Sequence, residues 1–166
     1  GTESISQLIS DRGSSLTLQD GSSLTVGAGS ILNGSLAGSG AFNVDGAEMT
    51  VSSTNSDYSG KVALNNGAKV TINSVNALGA NNIVTIDEES TLSVKTRAST
   101  IVDGVNLHQL GFNIAGNGTV SVDLDKATDY FEFGESQLEG SQQGQAFTGT
   151  LALNSGTYVF VDDVND

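Results

Sequence analysis

Short apolar–polar alternations recur along the chain at fixed distances, and this repeat constrains the fold more than any other feature. Leu16-Thr17-Leu18 is followed eight residues on by Leu24-Thr25-Val26. The same eight-residue step links Val62 and Leu64 to Val70 and Ile72, Val84 and Ile86 to Leu92 and Val94, and Leu151 and Leu153 to Val159 and Val161. Phe42 and Val44 lead to Met49 and Val51 at seven. Within each segment every second residue is apolar, which is the period of a pleated strand, and β-branched residues are frequent. No window holds a sustained helical spacing. An all-β chain is the expectation.

A longer period lies above the short one. Phe42 to Val62 is 20 residues, while Val62 to Val84, Leu64 to Ile86 and Leu92 to Ile114 are each 22. Such a shift fits one coil of a parallel β-solenoid, in which successive strands stack ~4.8 Å apart and like side chains form ladders. At that length the 166 residues make about seven to eight coils. One strand face meets the interior and the other meets water, so the alternation stays clean even in a parallel sheet; parallel sheets covered on both faces read as unbroken apolar runs. Asp20-Gly21, Asp45-Gly46 and Asn66-Gly67 are turn dipeptides suited to corners, as is the position of Gly156. The same dipeptides also signal hairpins, so an antiparallel sandwich or meander stays open as a rival.

Two stretches break the rhythm and are expected as irregular insertions in an otherwise single unit spanning 1–166. Residues 95–111 carry Lys95, Arg97 and the sole His108, and residues 125–146 run from an aromatic cluster into a polar tract with Gln142 and Gln143. Insertions on a solenoid project from one side and often bind. Lys95, Arg97, His108, Gln142 and Gln143 are therefore the candidate contact residues.

Charge narrows the partners. Nineteen acids against six bases give a net charge of −13. Nucleic acid and anionic membrane surfaces are disfavoured, because both are held by Lys and Arg. No run approaches the ~18 apolar residues of a membrane-spanning helix.

Asp57-Tyr58-Ser59-Gly60-Lys61-Val62, then Asn66-Gly67-Ala68-Lys69-Val70-Thr71-Ile72, then Asn76-Ala77-Leu78-Gly79 resembles the passenger-associated repeat of autotransporters, the type V secreted surface proteins of Gram-negative bacteria. A truncated second copy begins at Phe147-Thr148-Gly149 and continues through Leu151, Leu153, Gly156, Val159 and Val161. Leu36-Ala37-Gly38-Ser39-Gly40 and Ile114-Ala115-Gly116-Asn117-Gly118 match the Gly-x-Gly segment that precedes such copies. The resemblance implies a right-handed parallel β-helix, a segment of a larger AIDA-like passenger carried to the bacterial cell surface through a C-terminal outer-membrane barrel of the parent chain. The absence of Cys and Pro is consistent with passage through a barrel and with strand-on-strand stacking.

Chemistry has little to work with. His108 is the one possible base for a Ser–His–acid triad, no Gly-x-Ser-x-Gly elbow is present, and a surface or loop histidine is the expectation. Without Cys or a second His, zinc is disfavoured. Asp123-Leu124-Asp125 with Asp129 has a calcium-like look but lacks the order of a calcium loop, and Asp123 and Asp125 read as outward positions of a strand through Val120, Val122 and Leu124. No cofactor is expected. The leading expectation is a non-enzymatic stalk or adhesive module acting in host-cell adhesion or bacterial self-association and biofilm. Its partner would be a host-cell receptor or glycan, or another copy of itself. A scaffold for an enzymatic domain, or a polysaccharide-active enzyme, are the alternatives.

Overall fold

The computed structural model describes residues 1–96, 100–102, 105–134, 137–138 and 146–161. Nineteen strands lie among these residues, and their order in the sheets differs from their order in the chain. Strands β1 (Thr2–Ile5), β4 (Ser23–Val26), β7 (Ala41–Asp45), β9 (Val62–Asn65), β11 (Ile83–Ile86) and β15 (Asn113–Gly116) form one six-stranded sheet. A seven-stranded sheet runs through β2 (Ile9–Ser10), β5 (Ser30–Leu32), β8 (Glu48–Val51), β10 (Lys69–Ile72), β12 (Thr91–Thr96), β16 (Thr119–Leu124) and β18 (Thr150–Leu153). The third face is split between the pair β3 (Ser15–Leu18) and β6 (Ser35–Gly38) and a four-stranded sheet of β13 (Thr100–Val102), β14 (Val105–Gln109), β17 (Tyr130–Gly134) and β19 (Thr157–Val161).

The chain thus winds from sheet to sheet and stacks on itself, the arrangement of a β-solenoid. Consecutive strands such as β9 and β10 lie in different sheets, whereas strands one winding apart pair in parallel. The hairpin rival falls on this point. Asn66 and Gly67 do take positive φ, 55° and 79°, but they turn a corner between sheets rather than joining two paired strands.

Register follows the apolar repeat. Leu24, Phe42, Val62, Val84 and Ile114 stack in line, as do Met49, Val70, Leu92 and Val120. All of these are buried. The stacked strands therefore build a continuous apolar interior, and burying such side chains stabilises by about 1.5–3 kcal/mol apiece. The outward positions between them are Thr, Ser, Asn and Ala: Thr50, Thr71, Ser93 and Ser121 form one such row.

One expected step is corrected. Leu92 does not stack on Ile114; it pairs with Val120, 28 residues on, and Ile114 lies over Val84, 30 residues back. The added length is used by β13 and β14. These form the lone antiparallel pair among the described strands, after which β14 stacks in parallel with β17 and β17 with β19. The expected insertion 95–111 therefore includes strands that open a new third face. In the other, 125–146, β17 places Phe131 and Phe133 in the interior, their ring centroids 4.8 Å apart.

This lengthened coil displaces the repeat by one face. Gly38 and Gly116 occupy equivalent corners, with φ of 97° and 95°. A Cβ on either would sit 2.1 or 2.2 Å from a carbonyl oxygen of the coil below, Leu18 or Ile86, so only glycine fits. Gly40 and Gly118 donate their N–H groups to those same two carbonyls. Tyr58 bridges in parallel to Gly38, and Phe147 bridges to Gly116. Yet the first corner leads into the six-stranded sheet and the second into the seven-stranded one.

Candidate functional site: a polar groove along the stacked coils

The seven-stranded sheet ends unevenly, and a groove follows from that. Strands β8 and β10 have four residues and stop at Val51 and Ile72. Strands β12 and β16, stacked beyond them, have six and carry on through the pairs Lys95–Asp123 and Thr96–Leu124. Ser52 and Asn73, the residues after the short strands, lie at the bottom of the step. Their backbone N–H groups are taken by the carbonyls of Leu32 and Val51 in the coil below, which leaves the side chains to face solvent. The Asn73 amide donates to the Ser52 hydroxyl at 3.2 Å. Two coils back from β8, at the far end of the same sheet, the turn after β2 brings in Arg12.

The resulting groove has a volume of about 670 Å³ and is lined by Arg12, Ser52, Asn73, Lys95, Asp123 and Asp125, with Leu124 beneath them. The six polar residues are exposed and Leu124 is buried. Cationic donors, a hydroxyl, an amide and carboxylate acceptors thus follow one another along the stacking direction. None of these lining residues is aromatic.

Of the sequence-derived candidates, Lys95 belongs to this groove. Arg97, Gln142 and Gln143 lie outside the described residues. His108 requires a correction. It sits on β14 in register with Phe131, fully buried rather than on a loop, with its Nε2 atom 3.6 Å from Oδ2 of Asp129. Asp129 is itself 1% exposed, and its carbonyl accepts the Thr157 N–H that starts the next coil. A pair this deep in the stack joins β14 to the turn before β17 and offers no face to a large ligand. Asp123 and Asp125 are outward, as their alternation with Val122 and Leu124 predicts.

Arg12, Ser52 and Asn73 carried no signal of their own. The signal that finds them is positional: each of Ser52, Asn73, Lys95 and Asp123 follows directly on a matching buried residue, Val51, Ile72, Val94 and Val122, of one ladder. Aligning coils and reading down a column reveals a row that no local motif shows.

The corner between the six- and seven-stranded sheets is also polar. Asn66 donates its side-chain amide to Asp45, and its backbone N–H to Asp87 Oδ2 at 2.6 Å. Burial works against ionisation of Asp87, but hydrogen bonds from the Ser90 side chain and from the backbone of Asn66, Ser90 and Glu89 outweigh it. Its carboxyl is held below the usual range. Among the described residues no group of three or more His, Cys, Asp or Glu is placed to hold a metal ion.

No protein-family profile and no solved structure matches the chain. Among curated proteins it is similar to the Uncharacterized lipoprotein YdeK of Escherichia coli (strain K12), with 26% identity over 142 aligned residues that cover 75% of this chain. The chain spans 11% of the length of that relative.

Proposed function

We propose that this chain is a non-enzymatic segment of an autotransporter passenger, a right-handed β-helix of about seven to eight coils displayed at the bacterial surface as a stalk or adhesive module. It would act in attachment to host cells or in self-association of bacteria. The parallel stacking of strands one winding apart is the observation that carries the reading. It turns a short polar repeat into long outward rows, so that many weak contacts act together. The relative named a lipoprotein supports a place in the cell envelope. The Tyr58-Ser59-Gly60 and Phe147-Thr148-Gly149 corners, alike in geometry, support the resemblance to passenger repeats.

The test is display of the chain on a non-adherent bacterium, fused to an outer-membrane barrel. Settling of cell suspensions and attachment to epithelial monolayers are then compared with the barrel alone. Faster settling or raised attachment is expected. Cells that behave like the barrel control in both assays overturn the reading.

A further inference from the structure

We infer that the groove at the end of the seven-stranded sheet binds an uncharged, linear, polyhydroxylated chain, a neutral glycan laid along the stacking direction. This deepens the adhesive reading above and rests on it. The argument starts from the signs along the lining. A polyanion that engages Arg12 and Lys95 must also lie against Asp123 and Asp125, on a protein already at −13. A polycation meets the reverse conflict. The complement of a row holding donors, acceptors and groups that do both is a ligand whose own groups do both without charge. Hydroxyls meet that requirement at every position, since each donates once and accepts through two lone pairs.

The competing occupant is an extended peptide. Peptides recognised by strand addition pair with a free backbone edge. Here the N–H groups of Ser52 and Asn73 are already committed to the coil below, so these two residues offer the groove their side chains. Among the described residues its lining is polar apart from Leu124, which leaves little to read the alternate side chains of a peptide. Both points favour the glycan. No described lining residue is an aromatic platform, and this sets the strength: single-site affinity is weak, on the order of 1 mM, and useful only when many copies act together.

The isotope-labelled full chain is titrated with cellotetraose, chitotetraose and maltotetraose, with a heparin tetrasaccharide and a neutral Gly/Ser peptide as comparators. Amide shifts centred on Ser52, Asn73, Lys95 and Asp123 are expected with at least one neutral tetrasaccharide, and they persist when salt is raised, because no net charge is neutralised. Asp123→Ala and Asn73→Ala each weaken that binding about ten-fold, the scale of one lost hydrogen bond to a ligand. Both side chains point outward, and an otherwise unchanged amide spectrum shows that the fold is intact. Heparin or the peptide shifting these amides in preference to the three neutral glycans overturns the inference. So does a panel that leaves them unmoved at about 10 mM, well beyond the expected affinity. The display assay separates the two levels. Adhesion that survives the double variant discards the groove and keeps the adhesive reading, whereas an unsubstituted chain that never adheres discards that reading.

Discussion

Replacing Asn55 by alanine removes a clamp that holds three successive coils. The side chain is 2% exposed. Its Oδ1 accepts the Leu36 N–H at 2.8 Å, and its Nδ2 donates to the Ala77 carbonyl at 2.7 Å and to the Ser53 hydroxyl at 3.0 Å. Leu36 lies one coil below and Ala77 one coil above. Alanine strands a buried N–H and a buried carbonyl, each costing about 1–3 kcal/mol, while the half-exposed Ser53 can turn to water. The expected loss is therefore about 2–6 kcal/mol, or roughly 8–16 °C in Tm around the middle of that range. Denaturant unfolding measures the total. Native-state hydrogen exchange supplies the local readout: the Leu36 amide should lose protection while Val122, on a distant coil, keeps its own. Asn55→Asp should restore the acceptor for Leu36 but not the donor to Ala77, and fall no closer to the wild type than alanine does, because it buries a charge beside a carbonyl. An alanine variant within about 0.5 kcal/mol of the parent, with Leu36 still protected, refutes the reasoning.

Glycine substitutions should separate two causes of cost. Gly60→Ala places a Cβ 1.9 Å from the Gly40 carbonyl oxygen and should abolish folding or cost more than about 4 kcal/mol, whereas Gly67→Ala, at φ 79° in open space, should cost only about 1–2 kcal/mol; equal losses on denaturation would contradict the corner geometry. Tyr58→Phe removes the donor to the carbonyls of Gly40 at 2.6 Å and Lys61 at 3.2 Å inside the stack, and a loss of about 1–3 kcal/mol on denaturation is expected. Asp87 has a folded-state carboxyl held below the ordinary value, so its contribution is present above about pH 4 and is lost as pH falls through the lowered value. Wild type should therefore exceed Asp87→Asn in denaturation midpoint at pH 7, and the gap should close in acid; a gap that widens there would contradict the assignment.

Much of the winding was legible because alternation and period together specify it. Phe42, Val62 and Val84 could be aligned on spacing alone, and each pair is a true rung. The step from Leu92 to Ile114 had the same spacing and the same residue type, yet it is false. An apolar pair states that it faces inward but not from which side, so a coil lengthened by a strand pair such as β13 and β14 is invisible to the repeat. His108 failed for a related reason. Leu107 beside it suggests the outer face for His108, yet the chain turns His108 and Leu110 inward together, and what compensates its burial includes Asp129, 21 residues on in the next coil. The groove was half visible: outward Asp123 and Asp125 followed from alternation, but the step that gathers them with Ser52 and Asn73 depends on strand lengths, which blur at the ends of β-runs.

The matched corners at Gly38 and Gly116 bear on how such a chain can change over time. Each corner is satisfied by the backbone carbonyls of whichever winding precedes it, and nothing in it names a particular sheet. A stretch bounded by two such corners can be copied, lost or rotated to a neighbouring side without rewriting the residues around it. Surface rows can then be redirected around the axis while the interior stays in step, so the display face is free to vary faster than the framework that holds it.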